Sequence, residues 1–281
     1  MDTLVQAVVM GLVQGLTEFL PVSSSGHLIL VPALLGWNDA FIDSLAFSIM
    51  LHTATLLALL IFFRADWFRL IPAWFASIRD RSLGGDPDRS LAWLLVISTI
   101  PAVIAGLAIG DLADNPDFRA VGRVAIALVI GAGALWFGER VGSRSRSISD
   151  LGVRGAFGIG LAQALALVPG ISRSGISIAA GLVAGLDRAS AARYSFLMAT
   201  PITAGAGIFE IRKLVAGEAG ITVDVSVLVA GMLAALVAGI GAISLTLRFL
   251  RSNSTLVFIA YRLALAGLIV VTWLGLWDRS A

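Results

Sequence analysis

One carboxylate, one arginine, one imidazole and a run of hydroxyls stand in two short polar interruptions of an otherwise apolar sequence. The first reads Gln14-Gly15-Leu16-Thr17-Glu18-Phe19-Leu20-Pro21-Val22-Ser23-Ser24-Ser25-Gly26-His27. The second reads Gln163-Ala164-Leu165-Ala166-Leu167-Val168-Pro169-Gly170-Ile171-Ser172-Arg173-Ser174-Gly175. Placed without a gap, Gln14 matches Gln163, Ser23 matches Ser172, Ser25 matches Ser174 and Gly26 matches Gly175. Glu18 and His27 belong to the first copy alone, and Arg173 to the second alone. A duplicated scaffold carrying different charged groups in each copy is what one composite site needs.

The chemistry these groups could do is phosphoryl chemistry. Glu18 lies one helical turn after Gln14, so both project from one face; its plainer role is a carboxylate bonded to backbone at a helix break. Ser23, Ser24 and Ser25 with Gly26 would present hydroxyls and free N–H groups at a helix N-terminus, where phosphate binds, although serine is also a common helix cap. Arg173 offers planar, two-pronged recognition of phosphate oxygens and stays charged, and pairing with Glu18 is compatible with that. His27 could serve as acid, base or phosphate donor. Phosphoryl transfer is catalysed mostly by positioning and charge neutralisation, and a divalent cation bridging carboxylate and phosphates would complete the set. His52, within an apolar stretch, suits a hydrogen-bonded packing role, and Arg262 is compatible with either a cavity-facing or a snorkelling position.

The elements that must position these groups are membrane helices. Of 281 residues, 58% are hydrophobic and 14% charged, where soluble domains carry about 25% charged, and mean hydropathy is +0.94. Apolar stretches at about 40–63, 91–110, 119–138, 190–209, 225–247 and 255–277 each approach the roughly 20 residues that span a bilayer core. Two further regions, 3–35 and 152–186, are broken midway by Pro, Gly and Ser. Irregular backbone at membrane depth is tolerated only under protein or beside a water-filled cavity, so both read as re-entrant helical hairpins. The fold expected is an all-α polytopic membrane protein in a single domain over 1–281. It has six transmembrane helices and two re-entrant hairpins, arranged as inverted repeats over about 1–138 and 152–277. The first stretch lacks a basic flank and holds Glu18 where a signal peptidase would cut, so no removable signal is expected. Zero cysteines exclude disulfides and thiolate metal sites, and no basic, aromatic-interleaved surface supports nucleic-acid binding.

Arginine placement agrees with that layout. The connections 64–90, 139–151, 187–190 and 248–254 carry Arg64, Arg69, Arg79, Arg81, Arg89, Arg140, Arg144, Arg146, Arg188, Arg248 and Arg251. The other side has Arg212, Lys213 and Arg279, with Asp111, Asp114 and Asp117 in its short loop. The excess of basic residues marks the cytoplasmic side and places both termini outside. The first hairpin then enters from outside and the second from the cytoplasm, which brings the broken-helix tips together near the midplane.

At these residues the chain resembles a known family. Gln14 to Glu18 followed by Pro21-Val22-Ser23-Ser24-Ser25-Gly26-His27 resembles the first signature of the bacterial undecaprenyl-diphosphate phosphatases, the bacitracin-resistance family. Pro169-Gly170-Ile171-Ser172-Arg173-Ser174 resembles the second. Ser177 stands where that signature has threonine, and Gln14 where the first allows glutamate, which leaves Glu18 as the motif's one carboxylate. The resemblance covers essentially the whole chain. It implies hydrolysis of undecaprenyl diphosphate to the monophosphate, recycling the lipid carrier of cell-wall (peptidoglycan) synthesis and conferring bacitracin resistance. It further implies Mg²⁺ or Ca²⁺ dependence, a bacterial inner (plasma) membrane location, a site opening to the outer face, and a homodimer among membrane lipids. The residues implied are Glu18, Ser24, His27 and Arg173 as catalytic, with Glu18 also at the metal. Gln14, Ser23, Ser25, Ser172, Ser174 and Ser177 would support the polyprenyl diphosphate. In this scheme Arg173 clamps the diphosphate, Ser24 attacks or orients the terminal phosphorus, and His27 assists proton transfer. Two other classes are weighed. Acid lipid phosphatases need a histidine after the Ser-Arg element, and none follows Arg173. A transporter could use the same broken-helix cleft without chemistry.

Overall fold

The computed structural model describes residues 2–109, 120–216 and 224–277, and their regular structure is helical. Asp111, Asp114, Asp117 and Arg279 lie outside the described residues. The first broken pair is α1 (Thr3–Phe19) and α2 (Ser24–Leu35), followed by α3 (Leu45–Phe62), α4 (Arg64–Arg79), α5 (Pro87–Ile109) and α6 (Val121–Val141). The second broken pair is α7 (Val153–Ala164), continued by a single 3-10 turn at Leu165–Leu167, and α8 (Arg173–Val183). Then come α9 (Arg188–Val215), α10 (Val225–Ser252) and α11 (Leu256–Trp277).

Long helices stand where each of the six apolar spans is expected. Of these, α3, α5, α6 and α10 are long and apolar enough to cross a membrane. The half-helices are not. At 1.5 Å per residue the 12 residues of α2 and the 11 of α8 rise only about 18 and about 16 Å. Large apolar side chains such as Leu107, Ile208 and Val237 stand mostly exposed on the outer surface, as a hydrocarbon solvent demands.

The connection 64–90 contains a helix the apolar pattern did not announce. In α4, Phe68, Ile71, Phe75 and Ile78 are exposed on one side while Asp66, Leu70 and Ser77 are buried. Arginines at both ends hid this period, because a window average over the segment reads as polar. The buried edge is tied to α9 by Arg193, whose Nη2 donates to both oxygens of Asp66 at 2.7 Å. A second ionic knot forms where α6 ends: Glu139 accepts from Arg144 (2.9 Å), Arg188 and the Thr255 hydroxyl (2.9 Å).

Two devices hold the broken pairs in place. The first is small-residue packing. A Cβ added at Gly11 would sit 2.1 Å from the Gly231 carbonyl oxygen, and one at Gly15 2.5 Å from that of Ala235. α1 therefore lies against α10 backbone to backbone, the approach that small residues four apart permit in membranes. Gln14 and Glu18, in the same two turns of α1, are set by this contact. The second device is Arg262 of α11. It is fully buried and neither lines the cleft described below nor snorkels. Its guanidinium donates to the carbonyls of Pro21 (3.3 Å), Gly170 (2.8 Å) and Ile171 (3.0 Å), and to Leu128 and Ala127 of α6. One side chain thus satisfies carbonyls freed at both breaks, which cannot turn to water at that depth.

Candidate active site

Each break is built on one serine in the left-handed region. Ser23 has φ 77° and Ser172 φ 73°, a conformation that side-chain-bearing residues adopt at a cost of about 1–3 kcal/mol. Each serine caps the helix that follows: Ser23 Oγ accepts from Gly26 N at 3.3 Å, and Ser172 Oγ from Gly175 N at 3.1 Å. The hydroxyl pairs Ser23–Ser25 (3.4 Å) and Ser172–Ser174 (3.2 Å) repeat the likeness. The local geometry is duplicated as closely as the sequence is.

The two tips interlock. Gly170 N donates to Ser25 Oγ at 3.4 Å, Ser174 Oγ donates to the Leu20 carbonyl at 3.1 Å, and Arg173 forms an ion pair with Glu18. Glu18 gathers the remaining polar groups around its second oxygen. Ser24 Oγ donates to Oε2 at 2.5 Å and Gln14 Nε2 at 3.0 Å, while His52 Nε2 lies 3.5 Å away. Arg173 is further steadied by the Thr203 hydroxyl of α9, which leaves three of its five donors for other oxygens.

A cleft of about 270 Å³ opens beside these groups. Glu18, Ser24, Ser25, Ser172 and Arg173 line it, with Ser48 and His52 of α3, Gln163 of α7 and Thr203 of α9. Its remaining wall is apolar, with Ile29, Leu45, Ile49, Ala102, Ile202 and Ala206. The chamber is therefore polar where the tips meet and greasy around that point.

The other expected residues sit behind this surface. Gln14 and Ser23 are fully buried, one bonded to Glu18 and the other capping α2. Ser174 holds the Leu20 carbonyl. Ser177 is fully buried and bonds the Arg173 carbonyl at 2.6 Å and the Ser195 hydroxyl at 2.6 Å. These bonds link α8 to α9, and Ser177 is not among the residues that line the cleft. His27 is placed in the same way. Its Nδ1 lies 2.6 Å from the Ser23 carbonyl, which can only accept, so Nδ1 carries the proton. Nε2 then accepts from Tyr261 Oη at 2.7 Å, and the two rings stack at 5.7 Å. Both nitrogens are engaged and the ring is 6% exposed, so it braces the strained serine rather than facing the cleft.

His52 is the residue that reading by motif undervalued. Its apolar surroundings suggest packing, yet it lines the cleft beside Glu18. Its Nδ1 donates to the Ser48 carbonyl at 2.7 Å, which turns Nε2 toward the carboxylate. The signal available was its spacing: Ser48 and His52 are four residues apart on α3, one turn, and so share a face.

A helical membrane-embedded protein whose two broken helices oppose a carboxylate and an arginine in a half-apolar cleft is a protein built to hold an anionic, lipid-attached group. The family model of Bacitracin resistance protein BacA matches residues 7–268, and the chain belongs to that family. It is 44% identical over 274 residues to the undecaprenyl-diphosphatase of Thermomicrobium roseum, covering 95% of this chain and 96% of that one. The undecaprenyl-diphosphatase of Myxococcus xanthus is 42% identical over 269 residues, covering 96% and 89%. That of Moorella thermoacetica is 40% identical over 273 residues, covering 97% and 99%.

Proposed function

We propose that the protein hydrolyses undecaprenyl diphosphate to undecaprenyl phosphate and inorganic phosphate at the crossed helix breaks. Family membership and the names of the relatives support the reaction. The observation that carries the assignment to this site is the chain of contacts Ser24–Glu18–Arg173 at the cleft wall. Ser24 already donates to a carboxylate, which is what an attacking hydroxyl needs. Arg173 reaches the diphosphate with its free donors. As it turns toward the phosphates, Glu18 loses its cationic partner and becomes the better base.

Attack by Ser24 Oγ on the terminal phosphorus forms the Oγ–P bond, and the Ser24 proton moves to Glu18 Oε2. The P–O bond to the lipid phosphate breaks, and its electron pair leaves on that oxygen. Water then takes the phosphoryl group from Ser24 with Glu18 returning the proton. Ser25 and Ser172 bond the equatorial oxygens, Thr203 steadies Arg173, and His52, when protonated, pairs with the same carboxylate oxygen that meets Ser24. His27, Ser23, Ser174 and Ser177 keep the two breaks in register.

The donor set suits a hard divalent ion. Among the described residues no group of three or more His, Cys, Asp or Glu side chains occurs, but Mg²⁺ characteristically takes one or two carboxylates and completes its shell with phosphate oxygens and water. Among the described residues Gln14 Oε1, next to Glu18, is buried without a hydrogen-bond partner. Glu18 and Gln14 would hold Mg²⁺ or Ca²⁺, which would neutralise charge on the transferring phosphoryl group. The test is phosphate release from undecaprenyl diphosphate by purified protein in detergent, with and without chelator. Release needs no second compartment, so a protein that only transports the lipid yields none.

Arg173→Lys tests the clamp. Lysine keeps the charge but loses the planar fork, and activity is expected to fall at least about tenfold, about 1.4 kcal/mol of barrier. Turnover equal to wild type in folded protein would remove the two-pronged contact from the mechanism.

The finer topology belongs to the same proposal: one domain over 1–281 in the bacterial inner membrane, six spans, two hairpins inserted from opposite sides, both termini outside and the cleft open outward. The arginine distribution and the matching breaks support it. The absence of native cysteine allows a direct check with an impermeant thiol reagent on intact cells. Asn38→Cys, after the first hairpin, is expected to label at once. Ser145→Cys, before the second hairpin, is expected to label only after permeabilisation, and the reverse order would invert the topology.

A further inference from the structure

Gln163 lines the cleft, and no step above uses it. It closes the last turn of α7, is 2% exposed, and neither its Nε2 nor its Oε1 has a hydrogen-bond partner among the described residues. Buried amides are nearly always bonded, because leaving donor and acceptor unmet costs about 1–3 kcal/mol.

The duplicated scaffold explains how the amide came to be free. Gln14 is its counterpart, and Gln14 donates to Glu18 one turn later at 3.0 Å. In the second copy the position one turn after Gln163 is Leu167. The same helix end therefore presents the same amide with its intramolecular acceptor deleted. Leu167 also lines the cleft, so the group facing Gln163 is not replaced by another polar side chain. Arg173, ten residues on, is the neighbouring donor on the same wall.

We propose that Gln163 is a further substrate-binding residue: its amide N–H donates to a phosphoryl oxygen of the isoprenyl diphosphate, beside Arg173. This rests on the functional reading above. It makes the two glutamines complementary, Gln14 holding the carboxylate and Gln163 holding the anion that comes to lie opposite it. A neutral donor suits this position, because it adds a hydrogen bond without a second fixed cation that would hold the phosphate product.

The test compares wild type with Gln163→Met, which keeps length and removes both polar atoms, and Gln163→Glu, which sets a negative charge against the anion. Calorimetry with farnesyl methylenediphosphonate, which cannot be cleaved at its carbon bridge, reads substrate binding. Inorganic phosphate is titrated in parallel to separate the lipid diphosphate from a free ion. Gln163→Met is expected to weaken the analogue about tenfold, as loss of a hydrogen bond to a charged group does, and to raise KM in step. In the same variant kcat should change less than about threefold, and Tm should not fall, since a buried unpaired amide has been removed. Gln163→Glu should bind the analogue more weakly still. If Gln163→Met is not recovered folded, Gln163→Asn, which draws the amide back by one methylene, carries the same expectation.

Unchanged affinity for the analogue in the folded variants overturns the proposal, as does a fall in Tm with binding intact, which would make the amide structural. Weaker phosphate binding with the analogue unaffected also overturns it, because the contact would then be to product alone. Wild-type protein that releases no phosphate from undecaprenyl diphosphate, yet binds the analogue in a Gln163-dependent manner, would sink the enzymatic reading and uphold this contact.

Discussion

Glu18→Gln is expected to lower phosphate release at least about a thousandfold, about 4 kcal/mol of barrier. The substitution preserves shape while removing three things together. Ser24 loses the base that now lies 2.5 Å from its hydroxyl. The proposed divalent ion would lose its carboxylate. Arg173 loses its counter-charge in a site where Glu18 is 6% exposed, and an unpaired buried charge is costly. Two measurements separate these losses. If Glu18 holds the cation, the Mg²⁺ concentration giving half-maximal rate rises along with the loss of rate. If it is a base alone, that concentration stays put while the maximal rate collapses. Tm should fall in either case because Arg173 is stranded, and a diphosphate analogue that gives the guanidinium a new partner should restore part of it. A variant with wild-type rate and wild-type metal dependence would end the role assigned to Glu18.

The two breaks were legible because their signals are local. A Ser-x-Ser-Gly tract inside an apolar helix announces a cap and a change of direction at once, and Ser23 and Ser172 do both. Glu18 and Arg173 were legible because a charge at that depth needs a use. What stayed hidden is contributed by helices remote in sequence. His52 and Thr203 reach the cleft from α3 and α9, and beyond the one-turn spacing of Ser48 and His52 nothing near them in the chain says which face meets the tips. Gln163 was visible as the partner of Gln14, but its importance turns on an absence one turn later at Leu167, which acquires meaning only beside the buried amide. Ser177 and His27 raise the converse question. Both lie within motifs, and membership in a motif does not separate a group that touches the ligand from one that braces the backbone behind it. Ser177 bonds Ser195 and His27 bonds Tyr261, contacts that only the folded chain displays.

Arg262→Met is expected to be the most damaging substitution for the fold, at about 3–5 kcal/mol or more. The guanidinium serves the carbonyls of Pro21, Ala127, Leu128, Gly170 and Ile171, and methionine leaves all five without that donor. Those at Pro21 and Gly170 belong to the two breaks, where no helical N–H can take its place. Space for the side chain is made at Gly131, where a Cβ would lie 2.0 Å from Arg262 Nη2, so the guanidinium and the α6 backbone are fitted to one another. Arg262→Lys should be intermediate, because an ammonium has three donors on one nitrogen and cannot span carbonyls from α6 and both tips. Thermal unfolding in detergent and size-exclusion profile are the readouts. The expected order of Tm is wild type, then lysine, then methionine, with activity lost in the same order as Ser24 and Arg173 drift apart. An alternative in which Arg262 binds the lipid phosphate predicts something different: methionine would leave Tm intact and weaken only the diphosphate analogue. That outcome would move Arg262 from the scaffold to the cleft, and it would leave the two breaks held together by the Glu18–Arg173 pair and the Ser25–Gly170 and Ser174–Leu20 bonds.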